Sequence, residues 1–208
     1  YLLENDLLET IIALPNDLFY NTGIPTYIFI LNNKKDEKRK GKLQLISVTT
    51  EQFYSKMRKP LGKKRVEFSK DHIRAITDLF LDFENNENSI ILDNEDFGYS
   101  QITVHRPQRD ENGKIITDKK GKPKSDTALK DKENIPLKED IDAFFEKEVL
   151  PFAADAWYSP KETKIGYEIN FAKYFYKHKA PRALEEISAD IFKIEEETEH
   201  LLKEIVEA

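Results

Sequence analysis

The chain has 208 residues, enough for one large domain or two small ones with a proper core. Its 39% hydrophobic and 35% charged content departs from the roughly 45–50% and about 25% of ordinary domains, so much of it belongs in solvated loops and on helices that need a partner. The absence of cysteine excludes disulfides and thiolate metal sites and fits a reducing cytoplasm, apolar runs of only a few residues exclude a membrane span, and a net charge of -6 argues against a surface coated throughout for nucleic acid.

In chain order, Leu2 to Glu9 reads as the end of a helix feeding a first strand, Ile11 to Leu14, which Pro15 ends. Asn16 to Pro25 has loop chemistry in Asn21, Gly23 and Pro25 and carries an aromatic pair, Phe19 and Tyr20, where a scaffold keeps its chemistry. Tyr27 to Leu31 is rich in β-branched and aromatic residues, the pattern of a strand buried on both faces. The two strands are expected to lie antiparallel at the edge of a larger sheet. A basic loop follows, with Lys34, Lys35, Lys38, Arg39 and Lys40, then a third apolar run from Leu43 to Val48. Thr49 or Thr50 is placed to cap a helix through Met57, broken at Leu61-Gly62. This stretch carries a second basic cluster, Lys56, Arg58, Lys59, Lys63, Lys64 and Arg65, with no acid among positions 56 to 65.

Ser69 caps a clear helix whose Ile73, Ile76, Leu79, Phe80 and Phe83 share one face. Ile90 to Leu92 and Ile102 to Val104 are short strands, with Gly98 as a turn between them. Residues 109–134 carry many charges, two glycines, a proline and no aromatic, a composition that buries too little to offset the entropy of ordering; Asn112-Gly113 fits a tight hairpin, so the segment is either a charged linker or a β-ribbon. Beyond it, Leu137 to Val149 reads as a helix stopped by Pro151, and Trp157, Tyr158, Tyr167, Phe171, Tyr174, Phe175 and Tyr176 are expected to pack together. The last helix starts near Pro181. Its Leu184, Ile187, Ile191, Ile194, Thr198, Leu201 and Ile205 alternate three and four residues apart, a coiled-coil seam with one polar interruption. Three heptads with an exposed seam are marginal alone and need something to pack on. Acidic residues dominate this end, so the two ends, of opposite sign, point to two different partners.

The run IIALPNDLFYNTGIPTYIFILN resembles the late part of the catalytic domain in modification subunits of type I restriction-modification systems, N6-adenine DNA methyltransferases. DFGYSQITVHRP from Asp96, IPLKEDIDAFFEKEVLPFAADAW from Ile135 and KIGYEINFAKYFYKHKAPRALEEI from Lys164 resemble the carboxy-terminal half of the same subunit. The resemblance implies an α+β fold: the closing strands of a Rossmann-like methyltransferase sheet, followed by a mainly helical domain ending in a long coiled-coil-like helix. The divisions are 1–108 for the end of the catalytic domain, 109–134 for the linker or ribbon and 135–208 for helical subunit assembly. The family binds S-adenosylmethionine at a Gly-rich turn and reacts at an Asn-Pro-Pro-aromatic turn, and this chain has neither. A fragment that starts after the catalytic motifs is therefore expected, with no catalytic residue and no cofactor of its own, S-adenosylmethionine serving the full subunit.

By the same resemblance Phe19 matches an aromatic that stacks on an adenine rotated out of the duplex, with Asn21, Thr22 and Gly23 shaping the target loop; the bland alternative is a core phenylalanine. Lys56, Arg58, Lys59, Lys63, Lys64 and Arg65 are candidates for DNA phosphates, and the Lys34 to Lys40 cluster is open between phosphate contact and a solvated face. The four histidines, His72, His105, His178 and His200, have no ligand spacing, so no metal is expected. The implied partners are double-stranded DNA and the specificity and restriction subunits, the specificity subunit meeting the seam Leu184, Ile187, Ile191, Ile194, Leu201 and Ile205; self-association of the fragment is a further possibility. The competing reading is a non-catalytic helical oligomerisation module.

Overall fold

A computed structural model of the chain describes residues 1–176 and 181–206. They fall into two compact units, Tyr1–Phe175 and Tyr176–Ala208. The first holds two four-stranded sheets and a hairpin.

One sheet has the order β2-β1-β3-β6, formed by β1 (Leu8–Leu14), β2 (Thr26–Leu31), β3 (Lys42–Ser47) and, later in the chain, β6 (Ser89–Asp93). β1 runs antiparallel to β2 and parallel to β3. A register shift between Leu8 and Thr10 in the β1–β2 pairing makes Glu9 the extra residue of a bulge. This reverses the alternation, so Leu8 and Ile11 share one face while Ile12 and Leu14 share the other. Leu8, Ile11, Leu43 and Leu45 pack with Leu3 and Phe97; Ile12, Leu14, Ile46 and Val48 pack with Phe53. Each such side chain contributes about 1.5–3 kcal/mol when fully buried.

The strand buried on both faces is thus β1, whose seven residues are all buried. The sequence pattern assigned that role to Tyr27 to Leu31, and here it is corrected. β2 is an edge strand paired only with β1, and its Tyr27, Ile28, Phe29 and Leu31 are exposed. The expected antiparallel pair at a sheet edge is present.

Two expected helices are absent. Tyr1 to Asp6 forms a tight turn, Asn5 N–H donating to the Tyr1 carbonyl at 3.0 Å, before β1 starts. The predicted helix from Thr49 or Thr50 to Met57 is instead a turn followed by a hairpin, β4 (Ser55–Leu61) and β5 (Lys64–Glu67), turning at Gly62 with φ +62. Pro60 suits that outcome, since it is disfavoured inside a helix and tolerated on a two-stranded edge. α1 (Lys70–Asp82) follows, Ser69 Oγ accepting from His72 N–H at 3.2 Å and His72 Nδ1 accepting from Ser69 N–H at 3.1 Å. It lays Ile76, Leu79 and Phe80 on the Ile12–Ile46 side of the sheet.

After β6 (Ser89–Asp93) the chain enters the second sheet, built on β7 (Gly98–His105) with β8 (Asp131–Pro136) on one side. Gly98 begins β7 rather than making a turn; a Cβ there would lie 2.2 Å from Leu137 Cδ1. Residues 106–130 link the two strands as a ribbon bridged at Pro107/Ser125, Arg109/Ile115 and Thr117/Pro123. The predicted helix from Leu137 begins later, because Asp140 caps it by accepting from Ala143 N–H at 2.9 Å. α2 (Ile141–Phe144) then widens into a π-turn over Phe145–Val149, and both pack on Ile102, Val104 and Ile135. β9 (Trp157–Tyr158) and β10 (Lys164–Tyr167) pair with β7, and α3 (Phe171–Phe175) closes the first unit.

The aromatics expected to form one cluster form two. Tyr158 packs on Phe145 and Trp157 on His105, while Phe171 stacks on Phe175 and Tyr174 meets Phe97; Tyr176 is exposed. β9 carries the first pair to β7, away from α3. In the second unit α4 (Leu184–Val206) is a single helix. The coarse expectation of a mixed α+β protein holds. No helix among the described residues is long and apolar enough to cross a membrane.

Candidate nucleic-acid interface

The loop between β1 and β2 starts from a buried Pro15 and turns back at once. Asp17 adopts a left-handed φ of 58, and Leu18 drops into the core beneath α1. Phe19 and Thr22 bridge each other, so Tyr20 and Asn21 form the tip. Thr22 Oγ1 accepts from Ile24 N–H at 3.3 Å. Gly23 sits so close to Asp17 that a Cβ would lie 2.6 Å from its carboxylate. The result is a braced loop with Phe19 46%, Tyr20 58% and Ile24 65% exposed.

The basic hairpin is docked on this loop. Lys63 N–H donates to the Tyr20 carbonyl at 3.0 Å, and Arg65 N–H donates to the Asp17 carbonyl at 2.8 Å. Gly62 passes under Tyr20, where a Cβ would meet the Tyr20 carbonyl at 2.9 Å. Lys64 Nζ lies 5.4 Å from the Tyr20 ring centroid, a cation–π contact. Two sequence features separated by some forty residues are therefore one surface, an exposed aromatic pair flanked by cations.

The six candidate cations differ. Lys56 pairs with Glu51 at 2.6 Å, and this hydrogen bond with its charge attraction raises the Lys56 pKa and lowers that of Glu51. Arg58, Lys59, Lys63 and Arg65 are exposed and form no ion pair among the described residues.

The first basic cluster has another role at its centre. Lys35 is buried against Asp6 at 2.5 Å, and Arg39, 4% exposed, reaches Glu9 at 3.3 Å, Gln44 Oε1 at 3.2 Å and the Phe80 carbonyl. Its guanidinium lies 4.5 Å from the Phe80 centroid and 4.2 Å from that of Phe83. Arg39 holds α1 to the sheet, Lys35 ties Asp6 to the Lys42 carbonyl at 2.9 Å, and neither is available to phosphates, a link the sequence reading missed. The signal was Glu9, an acid inside an apolar strand.

On α4, Leu184, Ile187, Ile191 and Ile194 are exposed, as is Phe192 beside them. The Thr198 hydroxyl donates to the Ile194 carbonyl at 2.7 Å and so is satisfied within the helix. The side chains of Leu201 and Ile205, like those of His178 and His200, lie outside the described residues. Among the described residues no group of acids and histidines is arranged to hold a metal.

A family model described as N-6 DNA Methylase matches residues 1–104, half of the chain. Type I restriction enzyme methylase subunits of Methanocaldococcus jannaschii are similar to it. The MjaVIII subunit is 35% identical over 83 residues, 40% of this chain and 14% of that protein. The MjaVII subunit is 35% identical over 96 residues, 46% of this chain and 16% of that protein. A solved type I restriction-modification methyltransferase subunit from Streptococcus thermophilus is 25% identical, with a TM-score of 0.38 over 46% of this chain and 19% of that one. The chain thus spans less than a fifth of the length of each of these relatives.

Proposed function

We propose, from the premise that this chain belongs to the N-6 DNA methylase family, that it supplies the target-base and DNA-backbone surface of a type I modification subunit. The full subunit transfers a methyl group from S-adenosylmethionine to N6 of adenine; the Gly-rich and Asn-Pro-Pro-aromatic turns that such chemistry uses are not in this sequence, and the 208 residues alone transfer none. β1, β2 and β3 close its Rossmann-like sheet. Phe19 stacks on the adenine after it leaves the duplex, Asn21, Thr22 and Gly23 hold the loop in shape, and Arg58, Lys59, Lys63, Lys64 and Arg65, with Lys56 at the margin, contact phosphates. The exposed seam on α4 meets the specificity subunit, which carries the choice of sequence, and the restriction subunit is a further partner. The setting is the cytoplasm.

The observation that carries this reading is the docking of the cationic hairpin on the aromatic loop through the Tyr20 and Asp17 carbonyls. Extrusion of a base costs a few kcal/mol, and stacking on an aromatic returns about 1–3 kcal/mol. Phosphate contacts give affinity and register without reading sequence. Together they make a surface suited to a flipped base, and neither feature alone would do so.

The test is Phe19→Ala and Phe19→Trp in the assembled enzyme, with 2-aminopurine at the target adenine. Phe19→Ala is expected to lower methyl transfer roughly 5- to 150-fold, the rate equivalent of about 1–3 kcal/mol, while Phe19→Trp keeps most of it. Unchanged transfer and unchanged 2-aminopurine fluorescence in Phe19→Ala would make Phe19 a loop-packing residue.

The second reading, a helical oligomerisation module, is favoured by the exposed Leu184, Ile187, Ile191 and Ile194. Truncation after Pro181 separates the two. Loss of specificity-subunit binding supports the first; loss of self-association alone supports the second.

A further inference from the structure

The ribbon between β7 and β8 contains a repeat. Residues 107–114, 115–122 and 123–130 are three octads, PQRDENGK, IITDKKGK and PKSDTALK, each with aspartate fourth and lysine eighth. In each, the aspartate Oδ1 accepts from the backbone N–H two residues on: Asn112 at 2.9 Å, Lys120 at 2.8 Å and Ala128 at 2.9 Å. Asp110 and Asp118 also accept from Lys114 and Lys122 N–H, both at 2.9 Å.

The octads close on one another. Ile116 N–H donates to Gln108, Lys124 N–H to Ile116 and Gln108 N–H to Lys124, at 2.8, 2.9 and 2.8 Å. The aspartate amides repeat the pattern, Asp110 to the Lys114 carbonyl, Asp118 to Lys122, and Asp126 back to Arg106 at 2.9 Å. The result is a three-cornered prism with pseudo-threefold hydrogen bonding.

The corners are not equivalent. Corner one is tied to the body: Arg109 donates to the Gly113 carbonyl at 2.8 Å and pairs with Asp155 at 2.9 Å, and Arg106 joins the same carboxylate at 3.2 Å. Corner three is tied through Ser125, whose hydroxyl lies 2.9 Å from Nδ1 of the buried His105, itself 3.1 Å from Glu162. Corner two, residues 118–122, is exposed throughout and has no side-chain contact to the body among the described residues. Its only acid is turned onto backbone amides, so Lys119, Lys120 and Lys122 stand without a carboxylate partner among the described residues.

We propose that corner two is a second, preorganised cationic contact for the phosphate backbone of double-stranded DNA, separate from the β4–β5 hairpin. It rests on the DNA-binding reading given above. The apex has neither an aromatic platform for unstacked bases nor an apolar side chain to enter a bilayer. A duplex backbone needs neither, only charge held at fixed places, and the rigid prism spares the ordering cost of a floppy lysine loop.

The test is salt-dependent binding of the whole chain to a labelled duplex of random sequence, by fluorescence anisotropy. Three variants are compared with the unaltered chain: Lys119→Gln/Lys120→Gln/Lys122→Gln, the same positions to Arg, and Arg58→Gln/Lys59→Gln. If all three lysines neutralise phosphates, the Gln triple variant lowers the slope of log K against log salt by about 2.7, at about 0.9 per contact. The Arg triple variant keeps the slope, and the hairpin variant lowers it separately. Single Gln substitutions, each expected to lower the slope by about 0.9, decide the matter if the triple variant fails to fold. A Gln triple variant with the original slope, beside a hairpin variant that has lost some, overturns the prism contact and leaves the hairpin reading standing. No duplex binding by the unaltered chain at low salt overturns both, and lysine-dependent binding to phosphatidylserine vesicles in place of duplex overturns the prism proposal.

Discussion

Arg39→Met removes a guanidinium and keeps most of its stem. Glu9, 6% exposed, then loses its ion-pair partner, Gln44 Oε1 loses a donor, the Phe80 face loses its cation, and Phe83 keeps only Lys38, 5.9 Å from its centroid. Burial lowers the Arg39 pKa and the Glu9 and Asp36 carboxylates raise it again, yet a guanidinium stays charged across any usable pH. Removing one member of a buried ion pair costs about 3–5 kcal/mol, because the other charge is stranded, and the lost cation–π contacts add about 0.5–2 kcal/mol. Against a total stability of about 5–15 kcal/mol this is a large share. Urea unfolding followed by Trp157 fluorescence reads it: with slopes of about 1–3 kcal/mol per molar, the midpoint falls by at least about 1 M. The double variant Glu9→Gln/Arg39→Met removes the stranded charge as well and is expected to lose less than the sum of the singles. A loss of only about 0–1 kcal/mol, the range of exposed pairs, or strict additivity would refute the assignment of this pair as a buried clamp. The clamp bears on the interface because Gln44 Nε2 holds the Leu79 carbonyl at 2.8 Å, and α1 in turn packs over Leu18 at the root of the aromatic loop.

Two further outcomes follow from single contacts. Gly62→Ala places a Cβ 2.9 Å from the Tyr20 carbonyl at φ +62; beyond the roughly 1–2 kcal/mol of left-handed strain, it is expected to pry the hairpin from the loop, and unchanged exchange of the Lys63 amide with solvent would sink that. Asp6 is pushed up by burial, but donors from Gly41 at 2.9 Å, from Lys35 and from Asn94 outweigh this and leave its pKa below 3.8. A depressed carboxylate contributes stability that is complete above 3.8 and lost as pH falls through the folded value, so Asp6→Asn should flatten the acid side of the stability curve; acid titrations that superimpose would refute it.

The parts of the fold legible in the sequence are those decided locally. Ser69 announces α1 because its hydroxyl accepts directly from the first-turn amide of His72, and β1, β3, β6 and β7 each carry enough apolar residues to be read as strands. The β4–β5 hairpin was not legible: Thr49 and Thr50 look like caps, and a run of lysines and arginines has no strand preference until a partner strand and two loop carbonyls accept its amides. Likewise nothing local tells β2 from β1, since both are apolar and only the sheet order makes one an edge. The ribbon of residues 106–130 was half legible. Its composition resembles that of disorder, but aspartate and lysine recurring every eight residues was the available signal.

The roles of the basic residues turn on what happens to the carboxylates near them. Lys35 and Arg39 look no different in sequence from Lys59 and Lys63, yet Asp6 and Glu9 draw the first two inside. Lys56 is matched at the surface by Glu51. Asp118 adjoins Lys119 and is close in sequence to Lys120 and Lys122, but its Oδ1 accepts from two main-chain amides, so it shapes the turn without forming an ion pair with its lysines. A negative total of -6 is therefore compatible with two strongly cationic surfaces. Counting charges along the chain misses this, because a carboxylate that caps a turn offers its neighbours far less compensation than one that reaches a lysine.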